Sequence, residues 1–275
     1  MEYTVRFQSK SSLIYMFRNL RNLFFVTLPV SVLLAFFYNP RVETDLFAAL
    51  VSGQINAENY FNEFATSFTV LRFGRFWWVT LLAVVFLAYT LSVMVVKIDR
   101  HMRIGEMLSL PLKRAFGIFP MMLAYIVACL VVFEVFSLII VGVVYMLGFL
   151  PSAEAIVAIG FGLTFITRAF LTYIFCLLII TFPLKYSENY RFNVALSYSV
   201  RVMAKKRGKI ILLSIVYPLA RYLVMALAYF IRPVDVLVYA VAFFFLLTYI
   251  PCFGYKQYFD DVGGERRDVG QKIFG

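Results

Sequence analysis

Charge is scarce in this chain: Asp, Glu, Lys and Arg make up 15% of its 275 residues, against about a quarter in a typical soluble domain. With 63% hydrophobic residues and a mean hydropathy of +0.85, the scarcity argues against a water-soluble fold. Cysteine is nearly absent. Cys129, Cys176 and Cys252 are an odd number, lie in or beside apolar runs and form no CxxC, which leaves no disulfide framework or thiolate metal site. The single histidine, His101, sits in a basic loop and reads as solvated. No nucleotide loop, metal motif, nucleophile elbow or cytoplasmic carboxylate dyad appears, so neither an enzyme signature nor a cofactor is expected. No cleaved signal is expected either, because the basic stretch before Leu23 is long and no small-x-small site follows Tyr38. The net charge of +11 would suggest nucleic acid in a soluble protein; in a chain this apolar it points to anionic lipid.

What is abundant is long apolar sequence. A spanning helix needs about 20 such residues, and in lipid only internally bonded helices suit these runs. Six candidate spans follow: 23–38, 77–96, 118–150, 153–183, 210–231 and 234–255. Trp77 and Trp78 open the second at an interface, and the third and fourth form a hairpin about Pro151. Segment 1–22 is a cytoplasmic amphipathic lead-in, 39–76 an external loop and 256–275 a tail. The loop carries Glu43, Asp45, Glu58 and Glu63, with a short surface helix over Asn56 to Phe64, and reads as an ordered cap without chemistry.

Basic residues set the expected orientation. Twenty Lys and Arg fall in the two terminal segments and the 97–117 and 184–209 loops, against four in the alternate segments. By the positive-inside rule both termini are cytoplasmic, consistent with a bacterial inner membrane.

A weak internal repeat divides the chain into three units. Each pairs two spans behind an amphipathic basic segment, with Pro29, Pro120 or Pro218 early or midway in the first span. The even spans of the second and third units both close on a proline, in Thr181-Phe182-Pro183 and Tyr249-Ile250-Pro251. The expected fold is therefore all-α: a polytopic membrane protein of six transmembrane helices in three hairpins. In the lead-ins, Leu13, Phe17, Leu20 and Phe24 share one face, as do Phe192, Ala195, Leu196, Ser199 and Met203. Arg201, Lys205, Lys206 and Arg207 are the candidate contacts to anionic headgroups, the plainer alternative being a topological anchor.

The stretch Ala195-Leu196-Ser197-Tyr198-Ser199, then Ala204-Lys205-Lys206-Arg207-Gly208-Lys209 and Ile210-Ile211-Leu212-Leu213, resembles bacterial six-span proteins grouped with the membrane domain of glycerophosphodiester phosphodiesterases. The resemblance covers the general plan of the chain, with specific residues only over 195–213. It implies an architecture and carries over no catalytic residue.

Three ionisable residues fall mid-span: Glu134, Arg168 and Arg221. An Arg at the bilayer centre costs about 2.5–3.5 kcal/mol on insertion scales, so each needs a reason. Glu134 and Arg168 are equidistant from Pro151, at one depth, and the expectation is that they pair. Arg221 has no obvious carboxylate. It either braces the carbonyl of Ser214 freed by Pro218 or offers positive charge to an anion, with Thr164, Thr167, Thr172, Tyr173 and Ser214 as hydroxyls nearby. Ala158-x-x-x-Gly162 is the expected site of close helix approach. Two functions remain open. One is a transport or permease-like component holding an anionic or amphipathic ligand near the midplane. The other is a scaffold or accessory subunit docking anionic lipid, a cytoplasmic partner or a second copy. A cavity reaching Arg221 favours the first.

Overall fold

The structure, a computed structural model, describes residues 12–37, 41–55, 60–68, 77–104, 112–150, 152–231 and 234–261. Among these residues there is no strand. Eleven helices follow in order: α1 (Ser12–Arg18), α2 (Leu20–Phe37), α3 (Arg41–Ser52), α4 (Tyr60–Phe68), α5 (Trp77–Ile104), α6 (Leu112–Met146), α7 (Ala153–Leu178), α8 (Thr181–Glu188), α9 (Phe192–Ala204), α10 (Arg207–Phe230) and α11 (Asp235–Asp261). α5, α6, α7, α10 and α11 are long and apolar enough to cross a membrane, and α2 becomes a sixth if its 90° bend from α1 lies within one span. Large side chains such as Met146, Phe230 and Leu138 face outward along them, an apolar surface that suits lipid and not water.

The six long helices close a ring. α2 packs on α5, α5 on α6, α6 on α7, α7 on α10, α10 on α11, and α11 returns to α2 while also touching α5. The turn from α6 to α7 includes a single 3-10 turn, Leu147–Phe149. Ser152 caps α7, its hydroxyl oxygen accepting from the Ala155 amide, one of the donors a helix start leaves unpaired.

One end of the ring, the basic end, is sealed by the chain's polar groups. There Tyr15 and His101 share a hydrogen bond of 2.8 Å, so His101 is held by a ring and is not simply solvated. Lys97 donates to the Asn22 carbonyl at 3.0 Å, Ser187 to Asp99 at 2.6 Å and Tyr258 to Glu188 at 2.5 Å. Such a layer fixes the ends of α5, α8 and α11 because buried polar groups must be bonded.

The two proline-closed segments differ. α7 breaks at Ile179–Ile180, and Pro183 lies in the first turn of the separate α8, where a missing amide proton costs little. Pro251 lies inside the continuous α11. Gly254 eases the join: a Cβ there would lie 3.0 Å from the Ile179 carbonyl oxygen, so glycine lets α11 press closely on the break. The lead-in helices appear as α1 and α9; most of the middle lead-in, residues 105–111, lies outside the described residues. α1 buries Ser12, Tyr15 and Met16 and turns Leu13, Ile14 and Phe17 outward, so much of its expected apolar face looks away from the core.

Candidate functional site

Within the segment read as an external cap, the described helices α3 and α4 each pack one face against the bundle. Leu46, Phe47 and Leu50 follow Glu43 at helical spacing, and this face drives α3 against α7 and α10. Leu46 is buried and Phe47 and Leu50 partly so, while Asp45 stays exposed. α4 follows α3 inward, with Phe64 and Phe68 buried against Phe161 of α7. The surface helix expected over Asn56 to Phe64 is observed as Tyr60–Phe68, with 56–59 outside the described residues.

This packing delivers Glu43 to the two arginines. Arg168 donates from Nη1 to Glu43 Oε1 at 2.8 Å, and Arg221 donates from Nη2 to Glu43 Oε2. The Glu43 and Arg168 side chains are 2% and 3% exposed, and Arg221 is 19%. Burial penalises the Glu43 charge, but the Arg168 and Arg221 guanidiniums outweigh it and hold the carboxyl below the usual carboxylate range. The Arg168 guanidinium also lies 5.4 Å from the Phe68 ring centroid, a cation–π contact. Thr44 and Tyr239 of α11 share a hydrogen bond beside the triad, and Tyr222 donates to the Phe161 carbonyl at 3.1 Å.

The expected Glu134–Arg168 pair is therefore corrected. Arg168 pairs with Glu43, while Glu134 is buried elsewhere on α6. Equal distance from Pro151 fixes depth along the membrane normal but not the direction in which a side chain leaves its helix. Arg221 also has a carboxylate, one the loop supplied. The hydroxyls proposed around it mostly serve their own helices, Thr164 donating to Gly160, Thr172 to Arg168 and Ser214 to Ile211. Close approach occurs at Gly160 and not at Gly162. A Cβ on Gly160 would lie 2.5 Å from the Phe64 ring, whereas one on Gly162 meets nothing within 4 Å.

On the basic side of the triad lies a cavity of about 450 Å³, within the usual range for ligand pockets. It is lined by α5, α6, α7, α8, α10 and α11 and is partly open to the outside, and its walls are apolar, with Leu91, Ile126, Phe175 and Phe253 typical. Arg168 and Arg221 are its charged lining residues and stand at the end away from the basic face. Arg168 Nε is buried and has no hydrogen-bond partner among the described residues. A buried donor left unpaired costs about 1–3 kcal/mol, more when charged, and with almost no accessible surface this nitrogen is not open to an acceptor from the cavity. No group of three or more His, Cys, Asp or Glu able to hold a metal occurs among the described residues.

The candidate headgroup contacts at the basic end divide. Arg201, Lys205 and Arg207 are exposed, whereas Lys206 donates to Gln257 at 2.7 Å and ties α9 to α11. Ser199 on the inner face donates to the Leu177 carbonyl at 2.7 Å. Comparisons with family models, with curated proteins and with solved structures returned no match.

Proposed function

We propose that this chain is a transport or permease-like membrane component that holds an amphipathic anion in its core. The observation that carries the reading is the apolar cavity ending at two arginines, Arg168 and Arg221. A guanidinium beside a water-poor cavity attracts anionic oxygen far more strongly than the same group in water. The apolar walls favour an amphiphile over a hydrophilic anion, since a fully polar ligand would lose its hydration without replacement. A scaffold would need no such cavity. Exposed Arg201, Lys205 and Arg207 add contact with anionic headgroups at the basic end, each worth about 1 kcal/mol near such a surface.

Native mass spectrometry of gently solubilised protein tests the reading. The wild-type chain should retain an anionic lipid or lipid-like acid, and Arg221→Met should retain it at about a tenth of the wild-type level or less, the loss of one charged hydrogen bond. Equal retention would return Arg221 to a bracing part in the bundle.

In the proposed arrangement the ring crosses the bacterial inner membrane six times, with the basic end and both termini cytoplasmic, as the distribution of Lys and Arg supports. Single cysteines tested in a background lacking the three natural ones should then label from opposite sides. Gln54 is exposed at one end and Ser197 at the other. Gln257 is a poor reporter because it is buried on Lys206. Impermeant reagent should reach the cysteine at 54 from the periplasm and that at 197 only after the membrane is opened. Labelling of both in intact spheroplasts would refute six crossings.

A further inference from the structure

Resting on the reading above, we infer that Glu43 is a built-in anion that holds the arginine site closed, and that an amphipathic anion binds there by displacing it. The cavity ends at Arg168 and Arg221. Glu43 reaches the same two residues from α3, through Oε1 to Arg168 Nη1 and through Oε2 to Arg221 Nη2. One carboxylate thus takes a nitrogen from each guanidinium, as the carboxylate, sulfonate or phosphate head of a ligand would. While it does so the site is closed to a second anion. Arg168 is 3% exposed, so an incoming head meets Arg221 first, which is 19% exposed.

Glu43 is placed to leave. It belongs to α3, which lies outside the ring of long helices and docks on α7 and α10 by one face. Exchanging one buried anion for another keeps the charge of the site and the desolvation of the arginines as they were, while Glu43 regains water. A proton on Glu43 would release the arginines in the same way. Among the described residues, the charged and titratable groups around it are Arg168 on α7, Arg221 and Tyr222 on α10, and Tyr239 with Asp235 on α11. Asp45 beside it and Glu63 on α4 are exposed, and Tyr60 of α4 lies against Gly148. Burial opposes the Glu43 charge, but the two guanidiniums outweigh it and hold the carboxyl below the usual range. Once displaced, the carboxyl returns toward its ordinary value. Anion binding therefore takes up a proton as pH falls from that value toward the lower one, and it tightens over this window.

The test uses radiolabelled decyl sulfonate, which stays anionic across the pH range, bound to the full chain in mild detergent and read by scintillation proximity. Glu43→Gln should bind it about tenfold tighter than wild type, because the competing charged hydrogen bonds are gone. Arg221→Met should bind it about tenfold more weakly. Wild-type affinity should rise as pH falls below the ordinary carboxylate value, by up to about tenfold per pH unit, and the Glu43→Gln affinity should stay flat. If Glu43→Gln does not fold, Glu43→Asp, one carbon shorter and less able to span both guanidiniums, takes its place and should also bind more tightly than wild type. Binding by the folded Glu43 variant that is equal to wild type or weaker overturns the inference, and so does a wild-type affinity that is flat with pH. If binding is still lost in Arg221→Met, those results leave the core-anion reading intact. Decyl sulfonate binding that is the same in wild type and Arg221→Met removes both.

Discussion

Glu43→Gln should cost about 3–5 kcal/mol of stability, because it leaves the buried Arg168 and the partly buried Arg221 without the carboxylate that binds both. The loss should appear in thermal unfolding of the detergent-solubilised protein. A double-mutant cycle assigns it. Glu43→Gln with Arg168→Gln should show a coupling of about 0.5–3 kcal/mol, whereas Glu134→Gln with Arg168→Gln should be additive to within about 0.5 kcal/mol. Acid should mimic the substitution. The folded-state pKa of Glu43 is depressed, so its contribution is complete above the ordinary carboxylate pKa and is lost as pH falls through the lower, folded value. Coupling of Arg168 to Glu134 and not to Glu43 would undo the clasp between α3 and the ring.

Gly160→Leu should be nearly as damaging by a different route. Even one added carbon would meet the Phe64 ring at 2.5 and 2.6 Å and Val144 at 3.0 Å, and Phe64 is fully buried. Overpacking of this kind costs about 1–3 kcal/mol, occasionally more, and here the part most free to yield is α4. Limited proteolysis should therefore cut within 53–59 faster in Gly160→Leu, with thermal stability reduced. Gly162→Leu, with nothing within 4 Å, is the matched control and should behave like wild type. Equal effects at the two positions would mean that α4 does not depend on contact with α7.

The helical class and the long apolar helices were legible because each rests on composition and local period, whereas the face that α1 buries was not. So was the importance of Arg168 and Arg221, since an arginine amid apolar residues is costly wherever it points. Their partner was not. Glu43 lies in a loop that reads as solvent-facing, and pairing by distance from Pro151 considered only residues within spans. Two signals nevertheless pointed to it. Two mid-span arginines against one mid-span carboxylate leave a deficit that an adjoining segment must supply. The face formed by Glu43, Leu46, Phe47 and Leu50 is too apolar for a helix surrounded by water. The glycine misassignment has a similar origin. The spacing from Ala158 to Gly162 marks small residues, but only the fold shows that Phe64 seats on Gly160. The cavity was beyond reach of the sequence, because it is made by six helices meeting and by α11 closing on the break after α7.

The account stands most directly on where an anionic chain lies when bound. Myristate carrying a diazirine at its chain terminus, irradiated with the solubilised wild-type protein and mapped by peptide mass spectrometry, reports that position. Labels should fall near the basic end of the cavity, on Ile179, Pro183 or Phe253, and should fade in Arg168→Lys. Labels confined to outward-facing side chains such as Leu138, Ile166 and Leu219, unchanged by Arg168→Lys, would show that the anion only coats the bundle.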